Sequence, residues 1–279
     1  MPILDGFVRV CGLTIRRKHM ASAARIIAQT CEWYLSCHWN QQYWDMSKNG
    51  ELLPLEHLKS CTETGNGVTI FDIGANRGDY ARLASTVLPN SIVHCFEIIP
   101  DTRLTLRKML SGMSNVIISD YGLSNKSGSL DVVCESENDE RAHVKSRYDT
   151  EGGYLSSVRV TTGDSYVGER GIERIDLLKI DTEGHDMMVL EGFRDSLNKG
   201  VIRIVQFEYG YTWIRSRKLL KDAYELLESS KYKVGRLYPD GVMFKKYNWV
   251  KDEHYRMGNY VAVHERSEDI FNLLKLRNL

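Results

Sequence analysis

The strongest constraint on the fold is a succession of short apolar runs that end in, or next to, a glycine or an acid. They are VTIFDIG (68–74), SIVHCFE (91–97), NVIIS (115–119), IDLLKID (175–181) and VIRIVQFE (201–208). Consecutive apolar residues over so few positions, rich in Val and Ile, predict strands buried on both faces. Amphipathic stretches alternate with them. Tyr80, Leu83, Ala84, Val87 and Leu88 recur at helical spacing and predict a helix that stops before Pro89. Pro100 and Asp101 open another, a short one ends near Gly192, and Leu219, Leu220, Ala223, Leu226 and Leu227 mark a further one. Such alternation dictates a largely parallel sheet covered by helices on both faces. YKVGRLY (232–238) and NYVAVH (259–264) follow one another without a helix, so they are expected to pair antiparallel at one edge. The stretch from Lys126 to Arg174 is less regular: SLDVV (129–133) and SSVRVTT (156–162) read as strands flanking a charged loop at 135–141.

The chain has 279 residues, enough to bury a core without disulfides or metal staples. Lys and Arg number 37, as do Asp and Glu. A chain of zero formal charge lacks the bulk attraction that drives nucleic-acid binding, so no nucleic-acid partner is expected. Six cysteines (Cys11, Cys31, Cys37, Cys61, Cys95 and Cys134) form no C-x-x-C pair. Their irregular spacing predicts reduced thiols and a cytoplasmic location. No run approaches the roughly 18 apolar residues of a membrane span, and no secretory leader is expected. Arg16, Arg17 and Lys18 precede an apolar helical segment. That pattern serves either as a solvated helix start or as a contact with a membrane surface. The first 60 or so residues hold Trp33, Trp39 and Trp44, three of the five tryptophans, and read mostly as helix. They are expected to form an extension, 1–63, ahead of a domain at 64–279. It would cap the substrate side or make a subunit contact in a homo-oligomer.

Three strand ends carry chemistry. Asp72-Ile73-Gly74-Ala75-Asn76-Arg77-Gly78 closes the first strand and opens a helix, and its small residues let a ligand approach the backbone. Glu97 ends the second strand, where a carboxylate accepts both hydroxyls of a ribose. Asp120 ends the third and is placed to meet an adenine amino group. Dinucleotide binding needs G-x-G-x-x-G, but Asn76 stands where the pyrophosphate requires glycine. An adenosine ligand without phosphates fits better. S-adenosylmethionine is one, and Asp72 near the loop suits its positive sulfonium. A nicotinamide-dependent oxidoreductase and a non-catalytic adenosine-binding module are the competing classes. At the end of the fourth strand, Asp181-Thr182-Glu183-Gly184-His185-Asp186 gathers carboxylates and an imidazole. These can accept a proton or hold a metal, or Asp181 or Thr182 can cap a helix.

FDIGANRGDY, VHCFEIIPDT, the YGLSNKSGSL stretch (121–130), VTTGDSY, IDLLKIDTEGHDMMVLEG and VQFEYG occur in this order. In this the chain resembles the FkbM-type S-adenosylmethionine-dependent methyltransferases from about Val68 to Glu208. The resemblance implies an α/β, Rossmann-like class I methyltransferase fold, with a mostly parallel seven-stranded sheet and an antiparallel closing strand. It implies O-methylation of a hydroxyl on a sugar, glycan or natural-product acceptor. Cofactor contacts are implied at Asp72, Gly74, Ala75, Asn76, Gly78, Glu97, Asp120 and Tyr121, and a reaction-side cluster at Asp181, Glu183 and His185. A metal-free reaction is preferred; the alternative has Asp181 and Glu208 holding a divalent ion. Trp213, Tyr238, Trp249, His254 and Tyr255 are candidate faces for a sugar. One departure stands out: where the family often has T-L-D-D, this chain has Thr162-Gly163-Asp164-Ser165, which bears on the local helix start.

Overall fold

The computed structural model describes residues 21–41, 45–61, 67–134, 143–145 and 154–276. The chain divides into two compact units, Met1–Gln42 and Tyr43–Leu279. The first contains the helix Ala21–His38. The boundary therefore falls before the expected one at 63. The helix Leu53–Cys61 belongs with the larger unit because Leu55 and Leu58 are fully buried in its core.

The larger unit contains strands β1 (Thr69–Ile73), β2 (Ile92–Phe96), β3 (Val116–Ser119), β4 (Gly122–Leu123), β5 (Gly128–Cys134) and β6 (His143–Val144). They continue with β7 (Tyr154–Thr161), β8 (Ile175–Ile180), β9 (Ile202–Tyr209), β10 (Tyr232–Tyr238), β11 (Gly241–Phe244) and β12 (Gly258–His264). The main sheet has the order β11-β10-β12-β9-β8-β1-β2-β3. β3, β2, β1, β8 and β9 pair parallel, and β12 runs antiparallel to both β9 and β10. This is the Rossmann-like methyltransferase arrangement. It carries eight strands rather than seven, because Pro239-Asp240 turns β10 back into a hairpin with β11. The antiparallel pairing of β10 with β12 is as expected, but β12 lies inside the sheet and β11 is the edge strand.

The register divides the sheet into two cores. Phe71, Ile73, Leu178, Ile180, Val205 and Phe207 face the helices Gly163–Glu169, Asp186–Gly192 and Leu220–Ser229. Ile70, Val93, Cys95, Leu177 and Ile204 face Leu53–Cys61, Asp79–Val87 and Glu268–Leu274. The strands at 129–133 and 156–162 do not join the main sheet. They pair antiparallel as β5 and β7 in a second sheet of order β4-β7-β5-β6. The charged loop at 135–141 lies outside the described residues. No helix among the described residues is long and apolar enough to cross a membrane.

The helix after β7 begins at Gly163, with Thr162 as its N-cap: the Thr162 Oγ1 accepts from the Ser165 N–H at 3.1 Å. The glycine is a packing requirement, since a Cβ there would lie 2.4 Å from the Phe193 ring. Asp164 then ties the helix to its neighbour by accepting from the backbone N–H groups of Asp195 and Ser196, at 2.9 and 2.8 Å. Gly163→Leu, the residue the family often carries, should therefore destabilise this protein by about 1–3 kcal/mol through overpacking. A second change, Phe193→Ala, should make the added leucine less costly than it is alone. Urea unfolding of the two single variants and the double variant measures the coupling.

Candidate active site

The carboxyl ends of β1, β2 and β8 meet at one cavity. The turn after β1 is fixed by backbone bonds: the Gly74 and Ala75 N–H groups donate to the Phe96 carbonyl at 2.9 and 3.0 Å, and Asp181 N–H donates to the Ile73 carbonyl at 2.9 Å. Gly74 takes φ +80°, and a Cβ on it would lie 1.7 Å from the Asp181 carbonyl oxygen. Only glycine lets the two strand ends approach so closely. Glu97 is buried beside this turn. Its two carboxylate oxygens accept from the backbone N–H groups of Asn76 (3.0 Å) and Ile99 (2.8 Å). Burial nevertheless raises its pKa, against those two bonds.

The cavity is lined by Gly74, Asn76, Glu97, Thr102, Asp181, Thr182, Glu183 and His185, with Leu130, Val144 and Val160 of the second sheet as an apolar wall. Three polar atoms of its lining residues are buried without a hydrogen-bond partner: Asn76 Oδ1, Thr102 Oγ1 and Thr182 Oγ1. Such atoms are costly unless a ligand or water meets them.

Beside the cavity the sheet face grades from apolar to acidic. Ile70, Leu177, Ile204 and Val263 stand in register; two residues further along are Asp72, Lys179, Gln206 and Val261; two further still, Glu208 opposes Asn259 and Asp181 follows β8. Lys179 is 6% exposed. Its ammonium lies 3.6 Å from Asp72, 3.4 Å from Asp181, and 5.1 Å from the centre of the Tyr80 ring. Burial opposes its charge, but Asp181, Asp72 and Glu51 outweigh burial and raise its pKa. One ammonium cannot neutralise all its acidic neighbours. Asp72 is pushed up by burial, and Glu51, which accepts from Asn49 and Asn259 at 2.8 Å each, is pushed up likewise. Glu208 is raised well above the usual range by burial and by Asp181, Asp186, Glu183 and Glu51. Gln206 is fully buried, with both amide atoms lacking partners.

The turn after β8 is left-handed at Glu183 (φ 52°) and Gly184 (φ 97°). A Cβ on Gly184 would lie 2.3 Å from the Thr212 carbonyl oxygen. Asp186, not Asp181 or Thr182, ties the turn together. Its carboxylate accepts from Gly184 N–H at 3.1 Å and Thr182 N–H at 3.4 Å. Asp181 and Thr182 precede the helix Asp186–Gly192 by too much to cap it. Burial and Asp181 push Asp186 up to about 7. His185 holds Ser124 Oγ at 3.0 Å through Nε2, and burial pulls its pKa down to about 4.

Of the residues singled out in the sequence, Gly74, Asn76, Glu97, Asp181, Glu183 and His185 come together around the cavity. Asp72, Ala75, Gly78, Asp120 and Tyr121 are absent from its wall. Asp72 points to the other side of the sheet because strand residues alternate, and Ile73 takes the cavity side. Asp120 turns outward to Arg107 at 2.5 Å, and Tyr121 packs edge-on to Tyr166 beneath Arg159. Gly78, at φ +95°, serves the turn: a Cβ would lie 2.7 Å from Leu106. Trp213 is fully buried, its indole donating to the Glu208 carbonyl at 2.9 Å, so it presents no face to a ligand. Tyr255 stacks on Tyr209, while Trp249 is exposed. Among the described residues no group of three or more His, Cys, Asp or Glu is arranged to hold a metal ion. Sequence reasoning overlooked Lys179, Gln206 and Glu51, although polar residues within the runs IDLLKID and VIRIVQFE mark the first two.

Residues 72–234 match the Methyltransferase FkbM domain family. The chain is 30% identical over 156 residues to the hexuronic acid methyltransferase AglP of Haloferax volcanii, an alignment covering 55% of this chain and 62% of AglP. It is 26% identical over 187 residues to the 2-O-methyltransferase NoeI of Sinorhizobium fredii, covering 62% and 75%. Among solved structures it is similar to an FkbM methyltransferase from Methylobacillus flagellatus, at 16% identity and a TM-score of 0.47, covering 74% of this chain and 45% of that one. The chain thus spans less than two thirds of AglP and of that crystallised protein.

Asp186 yields a pH prediction. Its folded pKa of about 7 lies above its ordinary value of 3.8, so its contribution to stability is fully present below 3.8 and is lost as pH rises toward 7. Asp186→Asn removes that loss and keeps one acceptor for the turn. The stability of the variant relative to wild type should improve by more than about 1 kcal/mol between pH 4 and pH 8, as read by urea unfolding at the two values.

Proposed function

Starting from the fact that the chain belongs to the FkbM methyltransferase family, we propose that it is an S-adenosylmethionine-dependent O-methyltransferase acting on a hydroxyl of a sugar or glycan. The observation that carries this reading is the cavity itself. Glu97 and the unpartnered Asn76 and Thr102 oxygens stand on one side, with Asp181, the unpartnered Thr182 hydroxyl and His185 at the other strand end. The sugar acceptor rests on the two relatives, a hexuronic acid methyltransferase and a 2-O-methyltransferase.

The residues present fit the cofactor. Each Glu97 oxygen spends one lone pair on a backbone N–H and keeps another for a ribose hydroxyl. Asn76, Thr102 and Thr182 offer acceptors and donors that nothing in the protein uses. Leu130, Val144 and Val160 form an apolar wall suited to a flat base. The carboxylates of Asp181 and Glu183 give the far end a negative field that favours a cation. When bound, S-adenosylmethionine supplies a methyl carbon made electrophilic by a positive sulfur.

In the reaction a C–O bond forms as the S–C bond breaks, and the acceptor hydroxyl gives up its proton. His185 is neutral near pH 7 because burial depresses its pKa, so it accepts a hydrogen bond rather than repelling the sulfonium. Asp181, half-exposed and held by Lys179, is the second acceptor for that proton, and Glu183 orients the pair from the left-handed turn. A positioned base contributes on the order of 10²–10⁴-fold. Family membership removes the oxidoreductase alternative, and turnover separates an enzyme from a binding module.

Glu97→Ala should weaken S-adenosylhomocysteine binding by about 2–3 kcal/mol, roughly 30- to 150-fold, in calorimetry. Asp181→Asn and His185→Ala should lower turnover by about 10²-fold or more with cofactor affinity near wild type. The assay is transfer of labelled methyl from S-adenosylmethionine to hexuronic acids and neutral oligosaccharides. Absence of S-adenosylhomocysteine binding, or wild-type turnover in both variants, would overturn these assignments.

A further inference from the structure

The helix Ala21–His38 leaves large apolar side chains in the open. Ile26, Ile27, Trp33 and Tyr34 are 66, 52, 68 and 61% exposed. At 100° per residue these four, with Thr30 and Cys37 between and beyond them, fall within an arc of about 120° on one side of the helix. Arg25, Gln29 and Glu32 lie on the other side. Scattered exposed apolar residues need no explanation, but a continuous stripe of two isoleucines, a tryptophan and a tyrosine does.

Charge indicates what covers the stripe. Residues 1–42 contain five basic residues, Arg9, Arg16, Arg17, Lys18 and Arg25, against two acids, Asp5 and Glu32. This segment therefore carries +3 in a chain whose formal charge is zero, so the remainder carries −3. The three contiguous cations Arg16, Arg17 and Lys18 lie just before the helix in sequence. Two copies packed through this stripe would bring two +3 segments together, whereas an anionic lipid surface complements them. Trp and Tyr are also the residues that favour the boundary between headgroups and acyl chains. The helix is not apolar enough to cross a bilayer, which leaves lying along its surface.

We propose that Ala21–His38 is an interfacial helix that seats its Ile26, Ile27, Trp33 and Tyr34 face on an anionic membrane surface. The test is flotation of the full-length protein with vesicles of phosphatidylcholine and phosphatidylglycerol, and with vesicles of phosphatidylcholine alone. Partitioning should be at least about tenfold stronger on the anionic vesicles and should weaken as salt is raised. Ile27→Asp combined with Trp33→Asp should reduce it at least about tenfold, and Arg16→Glu with Arg17→Glu should abolish the preference for anionic lipid. In every variant an unchanged melting temperature reports an intact domain. Failure of the wild type to float with anionic vesicles overturns the proposal, as does full binding by the Ile27→Asp, Trp33→Asp variant. A concentration-dependent dimer that this double variant dissociates, without vesicle binding, would assign the face to a second copy instead.

Discussion

The site depends on a single buried ammonium. Lys179 occupies a row of the sheet where an apolar residue would ordinarily pack, and it is tolerated there because Asp72 and Asp181 lie within 3.6 Å of it. The arrangement works in both directions. Without Lys179, Asp72 would be a fully buried carboxylate with no counter-charge, a state that costs several kcal/mol. Without the carboxylates, the ammonium could not stay charged. Because Asp72 belongs to β1 and Asp181 follows β8, the ion pairs join the two central strands at the level where their backbones already meet through Gly74. The polar row thus fixes the floor on which the acidic strand ends stand.

Much of the fold was legible because buried parallel strands leave a plain trace: consecutive apolar residues that end at a loop. The central strands and the helices after β1 and β2 were visible in that way. What escaped had weaker signals. β11 is four residues long and follows its partner through a Pro-Asp turn, so its run is too short to stand out. β5 and β7 were recognised as strands, but their departure into a second sheet depends on pairing across a long interval that no local pattern encodes. The helix Leu53–Cys61 belongs with the larger unit through the burial of Leu55 and Leu58, a tertiary fact invisible in its short sequence.

The site was legible to a similar degree. Glycines at strand ends were informative because backbone contact demands them, as Gly74 and Gly184 show. Acids were less so, since position along a strand does not say which face a side chain takes. Asp72, expected at the cofactor, turns to Lys179 while Ile73 takes the cavity side, and Asp120 meets two arginines supplied by the helix after β2. The departure at Gly163 has its explanation roughly 100 Å away along an extended chain and yet in direct contact, in the ring of Phe193.

The crowding of carboxylates has a thermochemical consequence. Glu208 and Asp186 hold protons at pH values where free carboxylates have long lost them. A cation that settles among them lowers their pKa values and expels protons into the medium. Its binding heat will therefore include the ionisation heat of whatever buffer takes those protons up. Titrations in phosphate and in Tris should differ by that heat multiplied by the number of protons released, whereas an uncharged analogue of the same shape should give nearly the same enthalpy in both.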